Sequence, residues 1–404
     1  MNTKNRWLVY FALALALLLL CACARVEKTP DAGQPEQTDE PGGEQSTPSV
    51  DPEPDPEPEP DILLTITAAG DDLLHNTLSF DSALAGGGYD FTHLYVPVKQ
   101  YIEGSDIAFI NQEVMLTGEV SAYPRLAAPA EAADALKTTG FNVVNLATNH
   151  SMDKGVSGLE ACMENVAARH FDAVLGVHDT QEDADTPVII EKQGVKIGFL
   201  SYTYDLNGFS LPEERQYMVD LIDDGKITAD LARIRPLCDY LVVSMHWGVE
   251  YQLEPSAEQR RLGQLLCDGG ADLIIGTHPH VLEPAEWLTG VDGHQTLCVW
   301  SLGNFISGQH KINTMLGGLL QMTVRFSPEH SLIGVDSWGV APVVTHYKDK
   351  GGYAVYALAD YTDTLAAEHG IKNYDQAMSL DYMNELAQTV LGDALIQPVV
   401  RNAN

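Results

Sequence analysis

Basic residues are scarce in this 404-residue chain: 23 Lys and Arg stand against 57 Asp and Glu, so the formal net charge is −34 at pH 7. Such a charge repels nucleic acid and anionic lipid headgroups. No run rich in Lys or Arg opposes it, and the acidic excess continues from Ile62 to the end of the chain, with 45 acidic against 19 basic residues. We therefore expect no nucleic-acid partner.

Cysteine is also rare, with six residues in the chain. Two of them, Cys21 and Cys23, belong to the N-terminal segment, and no CxxC pair occurs. This spacing indicates neither a zinc knuckle nor a disulfide scaffold. The others are expected to be mostly buried thiols: Cys162, Cys238, Cys267 and Cys298.

The N-terminal apolar run, residues 7–20, has 14 residues, too few for a comfortable membrane span. With Lys4 and Arg6 before it, the run predicts a secretory signal over residues 1–23. Its end resembles the bacterial lipobox, in which a small residue precedes a lipidated cysteine, and Cys23 is the better acceptor because Ala22 precedes it. Lipidation would hold the protein at the membrane without a spanning helix. The alternative is an ordinary cleaved signal with two incidental cysteines.

Residues 24–61 are acidic and rich in proline, and acid and proline alternate strictly over residues 51–60. Such a composition cannot form a core. Alternating proline favours the extended polyproline II conformation, which at ~3.1 Å per residue reaches up to ~110 Å. We predict a disordered stalk between the membrane anchor and the body. A recognition peptide for proline-binding modules is the alternative, although such modules are mostly intracellular.

From Ile62 onward, short β-branched runs alternate with helix-like stretches, a pattern typical of an α/β fold. Predicted helices cover residues 129–139, 156–169, 227–238 and 257–268. Five strand-like runs are each followed by a polar side chain at their carboxyl ends, the edge of an open α/β sheet where ligand sites usually form. These runs cover residues 63–69, 107–110, 143–147, 240–245 and 273–276.

The second half of the body predicts more strands. Residues 187–203 indicate a hairpin, and residues 296–300, 319–326 and 332–344 indicate further strands. A second sheet packed on the first would accommodate them. Residues 361–404 are predicted to be helical and carry no recognisable motif.

The side chains at the strand ends form a set typical of a metal site. Carboxylate and amide oxygens combined with imidazoles suit Zn²⁺, Mn²⁺ or Fe, and the set is too rich in nitrogen for Ca²⁺ or Mg²⁺. Seven donors suit two ions, which a carboxylate such as Glu113 can bridge and which together make hydroxide from bound water near neutral pH. Pro279 is predicted to hold the pair of histidines around it in an extended geometry with both rings on one face. The predicted ligands are Asp71, Glu113, Asn149, His150, His246, His278 and His280.

Each of these residues also has a structural interpretation. Asp71 could cap a helix, Asn149 could satisfy a turn, and a single histidine is more often hydrogen-bonded than metal-bound. The metal interpretation is favoured because all seven recur in one context, the end of a strand.

Three further residues are predicted to line the cleft and bind substrate. Trp247 adjoins His246, and Asn304 lies in a glycine-asparagine turn, whose positive φ it could instead simply accept. Arg125 is one of few cations and could pair with an anionic substrate group or form a surface salt bridge.

Several long blocks of the body resemble the bacterial capsule synthesis protein CapA family, associated with poly-γ-glutamate capsules. The longest covers residues 246–287, from HWGVEYQLEPS to GTHPHVLEPAEW. The others are GDDLLH at 70–75, INQEVMLTG at 110–118, NLATNHSMDKGVSGL at 145–159 and SLGNF at 301–305. Their order and spacing agree with the family from Leu63 to about Ser307, which implies a CapA-like domain over residues 62–345 and an extension, residues 346–404, packed on it.

That family is similar to the calcineurin-type metallophosphatases, which implies a four-layer α/β/β/α sandwich with a two-metal site. The resemblance makes Asp71 the first-strand ligand, Glu113 the bridging acid and Asn149 with His150 the asparagine-histidine pair. It makes His246 the lone histidine and His278 with His280 the terminal pair. Among these, His150, Asn149 and His246 are the predicted catalytic residues.

The sequence departs from the phosphatase pattern at two positions. Leu73 stands where phosphatases have a histidine, and Glu113 stands where they have an aspartate. His75 is close enough in sequence to substitute for the missing histidine, although its spacing differs. Compared with the phosphatase pattern, these departures are expected to weaken one of the two metal sites. Catalysis could therefore be altered or lost while the fold persists.

Together these features predict an exported, lipid-anchored protein of capsule or cell-envelope polymer biosynthesis that works as a metal-dependent hydrolase of phosphoester or amide bonds. Its expected location is the extracytoplasmic face of the membrane, and its expected partners are the polymer or the biosynthesis machinery. The alternative is a non-catalytic component of a capsule assembly or export complex. A third interpretation is a surface receptor for a small anion.

Overall fold

The structure is a computed structural model that describes residues 59–349 and 351–401. The predicted signal, the lipidation site at Cys23 and all but the last three residues of the predicted stalk lie outside these residues. No helix within the described ranges is both long enough and apolar enough to cross a bilayer.

The predicted strands and helices occur in the described body in the predicted order, and four further strands occur that were not predicted, at 173–175, 285–289, 304–307 and 351–357. The strands are β1 (Ile62–Leu73), β2 (Ile107–Gln112), β3 (Val143–Asn145), β4 (Ala173–Leu175), β5 (Val188–Lys192), β6 (Val195–Thr203), β7 (Tyr240–His246), β8 (Leu273–Thr277), β9 (Ala285–Thr289), β10 (Gln295–Val299), β11 (Asn304–Ser307), β12 (Leu316–Phe326), β13 (Leu332–Lys348) and β14 (Gly351–Ala357). The α-helices are α1 (Asn76–Asp81), α2 (Glu131–Thr139), α3 (Gly155–Ala167), α4 (Gln181–Asp185), α5 (Asp224–Ile234), α6 (Ala257–Asp268), α7 (Asp363–Glu368) and α8 (Leu380–Leu391).

The strands form two sheets. The first has the order β14-β13-β12-β1-β2-β3-β4, and β11 pairs with the far end of β1. The second has the order β5-β6-β7-β8-β10-β9. Strands β1 to β4 are parallel, and so are β6, β7, β8 and β10, so each sheet presents a row of carboxyl ends at one edge.

The two sheets pack face to face, and helices cover their outer faces. Along β7, Val242 belongs to the large core between the sheets, whereas its neighbour Val243 belongs to a second core with α5 and α6. This alternation follows from the two-residue period of a strand. On the other side, α2 and α3 connect parallel neighbours of the first sheet. The architecture is the predicted four-layer α/β/β/α sandwich.

Local sequence signals explain the helix ends. Ser256 and Gln259 form a reciprocal capping box at the start of α6. Gly140 ends α2 with a φ of 112°, a conformation that favours glycine. The predicted hairpin is confirmed as the antiparallel pair β5 and β6.

The assignment of strands to sheets differs from the expectation. Strands β12 and β13 belong to the first sheet beside β1, not to a second sheet. Conversely, β7 and β8 belong to the second sheet, so the five strands with polar ends are divided between the two sheets. Hydrophobic pattern alone does not state which strands pair, because both sheets are covered on both faces.

The C-terminal part of the chain is continuous with the first sheet. Strand β13 runs to Lys348, three residues beyond the predicted domain boundary, and β14 follows it in the same sheet. Beyond β14, helix occupies α7 and α8, together with three short 3-10 turns at Leu358–Asp360, Gly370–Tyr374 and Gly392–Ala394.

Candidate metal centre

The seven predicted ligands lie where the carboxyl ends of the two sheets meet. Asp71 is on β1, and Glu113 directly follows β2. Asn149 and His150 follow β3, His246 ends β7, and the two remaining histidines follow β8. All seven are buried. The packing of one sheet on the other therefore brings together side chains that are up to 209 residues apart in sequence.

Glu113 is at the centre of this cluster. Within the described residues, neither of its carboxylate oxygens has a hydrogen-bond partner. The Nε2 atoms of three histidines surround its Oε1 atom, at 3.9 Å for His150, 4.0 Å for His246 and 3.8 Å for His280. Burial, despite the opposing charge of His280, raises the pKa of Glu113 well above its usual value. A buried carboxylate without a hydrogen bond is costly, and a cation among these donors would remove that cost.

The donor atoms form two sets that share Glu113. In one set, Glu113 is joined by His246 and His278; in the other, it is joined by Asp71 and His280; within each set the candidate ligand atoms lie within 4.8 Å of one another. The Nδ1 atom of His278 is also buried, and it has no hydrogen-bond partner among the residues of the described ranges. The residue types and the orphaned atoms fit divalent metal ions, and Glu113 is common to both sets.

Asp71 organises the terminal pair of histidines. Its Oδ2 atom lies 3.0 Å from Nδ1 of His280, and both its oxygens accept from the backbone N–H of His278, at 3.2 and 3.3 Å. Burial lowers the pKa of His280, but Glu113 and Asp71 outweigh it and raise the pKa to about 9. The hydrogen bond at Nδ1 leaves Nε2 directed toward Glu113.

His150 is oriented by Asp153, a residue that the sequence reasoning missed. The Nδ1 atom of His150 lies 2.6 Å from Oδ2 of Asp153, which also accepts from the backbone N–H of Leu126 at 2.7 Å. A carboxylate behind a histidine fixes the ring and its tautomer and leaves Nε2 free to bind a metal. The sequence signal is the spacing of three residues between the histidine and the aspartate in NHSMD.

We expect the substitution Asp153→Asn to lower metal affinity about 10- to 100-fold, because partners behind a ligand have effects of that size. Competition with a chromophoric chelator measures it. Asp134→Asn is the matched control, since Asp134 is exposed on α2 and pairs with Arg169. Equal affinities of the two variants would contradict the orienting role of Asp153.

His246 is held from both sides. Its Nδ1 atom lies 3.0 Å from Oγ1 of Thr277, and its Nε2 atom lies 2.8 Å from Oδ1 of Asn149. Asn149 in turn donates to Oδ1 of Asn207 at 3.0 Å. Burial, together with the positive charges of His278 and the other histidines, lowers the pKa of His246 well below its usual value. A neutral imidazole is the form that binds metals.

The turn that carries His278 and His280 is not extended as predicted. The φ values are 96° at His278 and 61° at His280, in the left-handed region that non-glycine residues rarely adopt. The two rings nevertheless lie 5.8 Å apart, centroid to centroid. Backbone strain of this kind persists where the surrounding structure fixes it, often at functional sites.

Two glycines let β11 approach Asp71. The backbone N–H of Asp71 donates to the carbonyl of Gly303 at 2.8 Å, and a Cβ on Gly70 would lie 2.0 Å from that oxygen. The positive φ of this turn, 61°, belongs to Gly303 and not to Asn304. The amide of Asn304 is fully buried and donates to Ser307 and to two neighbouring groups. Within the described residues, the amide nitrogen of Asn304 thus contacts other parts of the protein, and Asn304 is not among the residues that line the cavity beside the cluster.

Beside the cluster is a cavity of about 510 Å³ that opens from Asn149 and His150. Arg125, one of the predicted substrate-binding residues, lines it, and its guanidinium lies 5.1 Å from the ring centroid of Phe209. The cavity also includes Glu250. Its remaining walls are Tyr123, Pro124 and Asn207.

Trp247 does not line this cleft, contrary to the expectation. Its side chain is buried in the second core, where it stacks on Trp300 with ring centroids 5.6 Å apart. Its Nε1 atom donates to the Trp300 carbonyl at 3.0 Å. Adjacent residues at a strand end point to opposite faces, so the direction of His246 toward the cluster turns Trp247 away from it.

The loop after β6 supplies residues that no motif indicated. The Tyr204 ring lies 4.5 Å from the His278 ring, and Asn207 contacts both Asn149 and His150. Asn111 on β2 donates to Asp71 at 2.8 Å. Tertiary packing places these residues, and a single sequence contains no signal for the first two.

The positions that depart from the phosphatase pattern also have clear places. Leu73 is buried in the core at the end of β1, so it offers no ligand atom. His75 lies near the cluster, and its Nδ1 atom is 3.1 Å from the Leu73 carbonyl. Burial lowers the pKa of His75 to about 4, with the charges of His280 and His150 adding to this effect.

A second buried acid, Glu283, lies beyond the terminal pair of histidines and accepts from Nε2 of Gln259 at 2.6 Å. Burial raises its pKa from 4.5 to about 7. Because the folded state then binds more protons than the unfolded state between these values, Glu283 lowers stability as pH rises through this window.

The substitution Glu283→Gln removes this titrating group. We expect the free energy of unfolding of the variant, minus that of the original chain, to be more positive at pH 8 than at pH 5. Urea unfolding of the metal-free protein measures both values. An equal difference at both pH values would contradict this assignment.

The body matches known proteins over most of its length. Residues 65–309 match the family described as bacterial capsule synthesis protein PGA_cap. The PGA biosynthesis protein CapA of Bacillus subtilis is 32% identical over 227 residues, which cover 54% of this chain and 54% of that protein. The capsule biosynthesis protein CapA of Bacillus anthracis is 28% identical over 273 residues, which cover 65% of this chain and 64% of that protein. The matched segment thus spans between one half and two thirds of each relative.

Solved structures with a similar fold include two nucleotidases. An NAD nucleotidase of Haemophilus influenzae has a TM-score of 0.46 at 12% identity, over 84% of this chain and 58% of its own. A 5'-nucleotidase precursor of Thermus thermophilus has a TM-score of 0.43 at 14% identity, over 70% of this chain and 54% of its own. The family match covers more than half of the chain and contains all seven predicted ligands. The chain therefore belongs to the bacterial capsule synthesis protein family PGA_cap.

Proposed function

We propose that this protein is an exported, lipid-anchored, metal-dependent hydrolase that cleaves a phosphoester or amide bond of a cell-envelope polymer, such as a poly-γ-glutamate capsule. The capsule role rests on the family. The metal dependence rests on one observation, the buried carboxylate of Glu113. It has no hydrogen-bond partner in the part of the chain that the structure describes, and three histidine Nε2 atoms lie 3.8 to 4.0 Å from its Oε1 atom.

The residues of the cluster would hold one or two ions of Mn, Fe or Zn. Glu113 would be shared, His246 and His278 would complete one site, and Asp71 and His280 would complete the other. Bound metal of this kind lowers the pKa of water and polarises the bond to be cleaved.

The other residues of the site position these groups and the substrate. Asp153 fixes the His150 ring, and Asn149 links His246 to the loop that carries Asn207. Arg125 at the cavity wall is suited to an anionic group of the substrate. The burial of the ligands excludes bulk water and strengthens every charge interaction in the site.

Elemental analysis of the purified full chain, followed by an activity screen on the same sample, tests this proposal. Substrates are a phosphodiester and a γ-glutamyl amide, each assayed before and after chelation. We expect Mn, Fe or Zn in stoichiometric amount, hydrolysis of one substrate class, and loss of turnover in His278→Ala. A metal-free protein with unchanged turnover would refute the proposal.

A second candidate function is a non-catalytic component of a capsule assembly or export complex. The observation that favours it is Leu73, a buried apolar residue at the position where phosphatases carry a histidine. In a capsule-producing host, this function predicts that His150→Ala and His278→Ala variants keep capsule production, whereas removal of the stalk or Cys23→Ala abolishes it. Loss of capsule in the histidine variants would favour hydrolysis instead.

A further inference from the structure

We propose that two cations next to the ligand cluster, Arg125 and Lys311, bind separate negative charges of one linear polyanion. This inference rests on the part of the proposed function that concerns a polymer, and it names the residues that recognise that polymer. The shared chemistry is a chain with regularly spaced anionic groups, either carboxylates or phosphates.

Arg125 is unusual among the arginines of the protein. Within the described residues, every arginine except Arg125 and Arg401 lies within 4.0 Å of a carboxylate oxygen. Arg401 donates instead to the Met322 carbonyl on β12. Arg125 is exposed in a cavity that contains Asn149 and His150, and Phe209 supports its guanidinium from one side. A guanidinium held on an aromatic ring retains its donors for an anionic ligand.

Lys311 lies beside the loop that carries His278 and His280, and it also contacts an aromatic ring. Its Nζ atom lies 3.2 Å from the ring centroid of Tyr251, and that ring lies 6.1 Å from the His280 ring. Lys311 is exposed and, among the described residues, has no carboxylate oxygen within 4.0 Å of Nζ. Each cation is thus fixed by an aromatic ring next to a different histidine of the cluster.

The negative net charge of the protein opposes the binding of an anionic chain. A chain of charge −34 repels polyanions at long range, and Glu250 adds a negative charge to the cavity that contains Arg125. Binding of an anionic chain therefore depends on direct contacts with individual cations. Arg125 shares a cavity with His150, and Lys311 contacts the Tyr251 ring beside His280. The Nε2 atoms of these two histidines lie 3.9 and 3.8 Å from Oε1 of Glu113, so a ligand held by both cations would lie beside the ligand cluster.

Fluorescence anisotropy with labelled linear oligomers tests this inference on the full chain in the presence of a chelator. One probe is an octamer of γ-linked glutamate, and the other is a polyphosphate of similar length. We expect at least one probe to bind, and Arg125→Gln and Lys311→Gln each to weaken that probe about 10-fold, the size expected for a charge-assisted contact.

Lys196→Gln is the matched control, because Lys196 is exposed at the amino end of β6, away from the cluster. The affinity of this variant for the probe should lie within about twofold of that of the original chain. The charge-retaining variants Arg125→Lys and Lys311→Arg should keep most of the affinity. No binding of either probe, unchanged affinity in both Gln variants, or an equal loss in Lys196→Gln would overturn the inference. This assay measures binding and not turnover. If the separate activity screen finds no hydrolysis, the proposed reaction is refuted, but the binding result still stands.

Discussion

Glutamine at position 113 is expected to remove nearly all bound metal. Both candidate ligand sets use the Glu113 carboxylate, so Glu113→Gln weakens both at once and replaces an anionic ligand with a neutral amide. We expect metal content to fall from one or two ions per chain to less than about one tenth of an ion, and hydrolysis to fall with it. Elemental analysis after gel filtration measures the metal content.

Glu283→Gln is the matched control for this substitution. Glu283 is also a fully buried glutamate, but it contacts Gln259 instead of the cluster. The control variant should retain the metal content of the original chain. Retention of metal by Glu113→Gln, with the fold intact by circular dichroism, would contradict the bridging role of Glu113.

Alanine at position 247 is expected to destabilise the protein by about 3 to 5 kcal/mol, the usual cost of removing a buried Trp side chain. Trp247 is almost fully buried in the second core, where it packs against Trp300. A loss of this size is a large part of the stability of a typical domain. Urea unfolding of the metal-free protein measures the free energy of unfolding.

Val249→Ala, two residues further along, is the control, because Val249 is 45% exposed and its truncation should cost less than about 0.5 kcal/mol. Trp247→Phe should leave substrate affinity unchanged, since the side chain does not face the cleft. If Trp247→Ala instead weakened substrate binding while stability stayed within about 1 kcal/mol, Trp247 would belong to the cleft as first predicted.

The ligand cluster could be predicted from sequence because its members share one local context. Asp71, Glu113 and His246 each come at the end of an apolar run, and the carboxyl ends of parallel strands lie at one edge of a sheet. The prediction did not require knowledge of strand order. The composition of the sheets could not be predicted in this way, because no local pattern encodes the pairing of β12 with β1 and of β13 with β12.

Residues that act through a ligand were harder to predict. Tyr204 and Asn207 reach the cluster only because the loop after β6 folds over it. Asp153 was accessible in principle, since it follows His150 by three residues. Trp247 shows the converse error: closeness in sequence to His246 suggested the cleft, whereas the alternation of a strand predicts the opposite face.

The conformation of the terminal histidine pair was also beyond the sequence. Pro279 restricts its own φ, but the positive φ values of His278 and His280 are fixed by contacts with Asp71 and with the neighbouring loops. Positive φ is uncommon for histidine, so sequence preference favours the extended form. Tertiary contacts overrode this preference.

Anomalous X-ray scattering from crystals grown with Mn²⁺ or Zn²⁺ locates the bound ions relative to the seven ligands. We expect one or two peaks among these ligands, with a Glu113 oxygen and histidine nitrogens about 2.0 to 2.3 Å from the metal. If the crystals bind the same ions only elsewhere and leave Glu113 without a metal neighbour, the seven side chains do not form a metal centre.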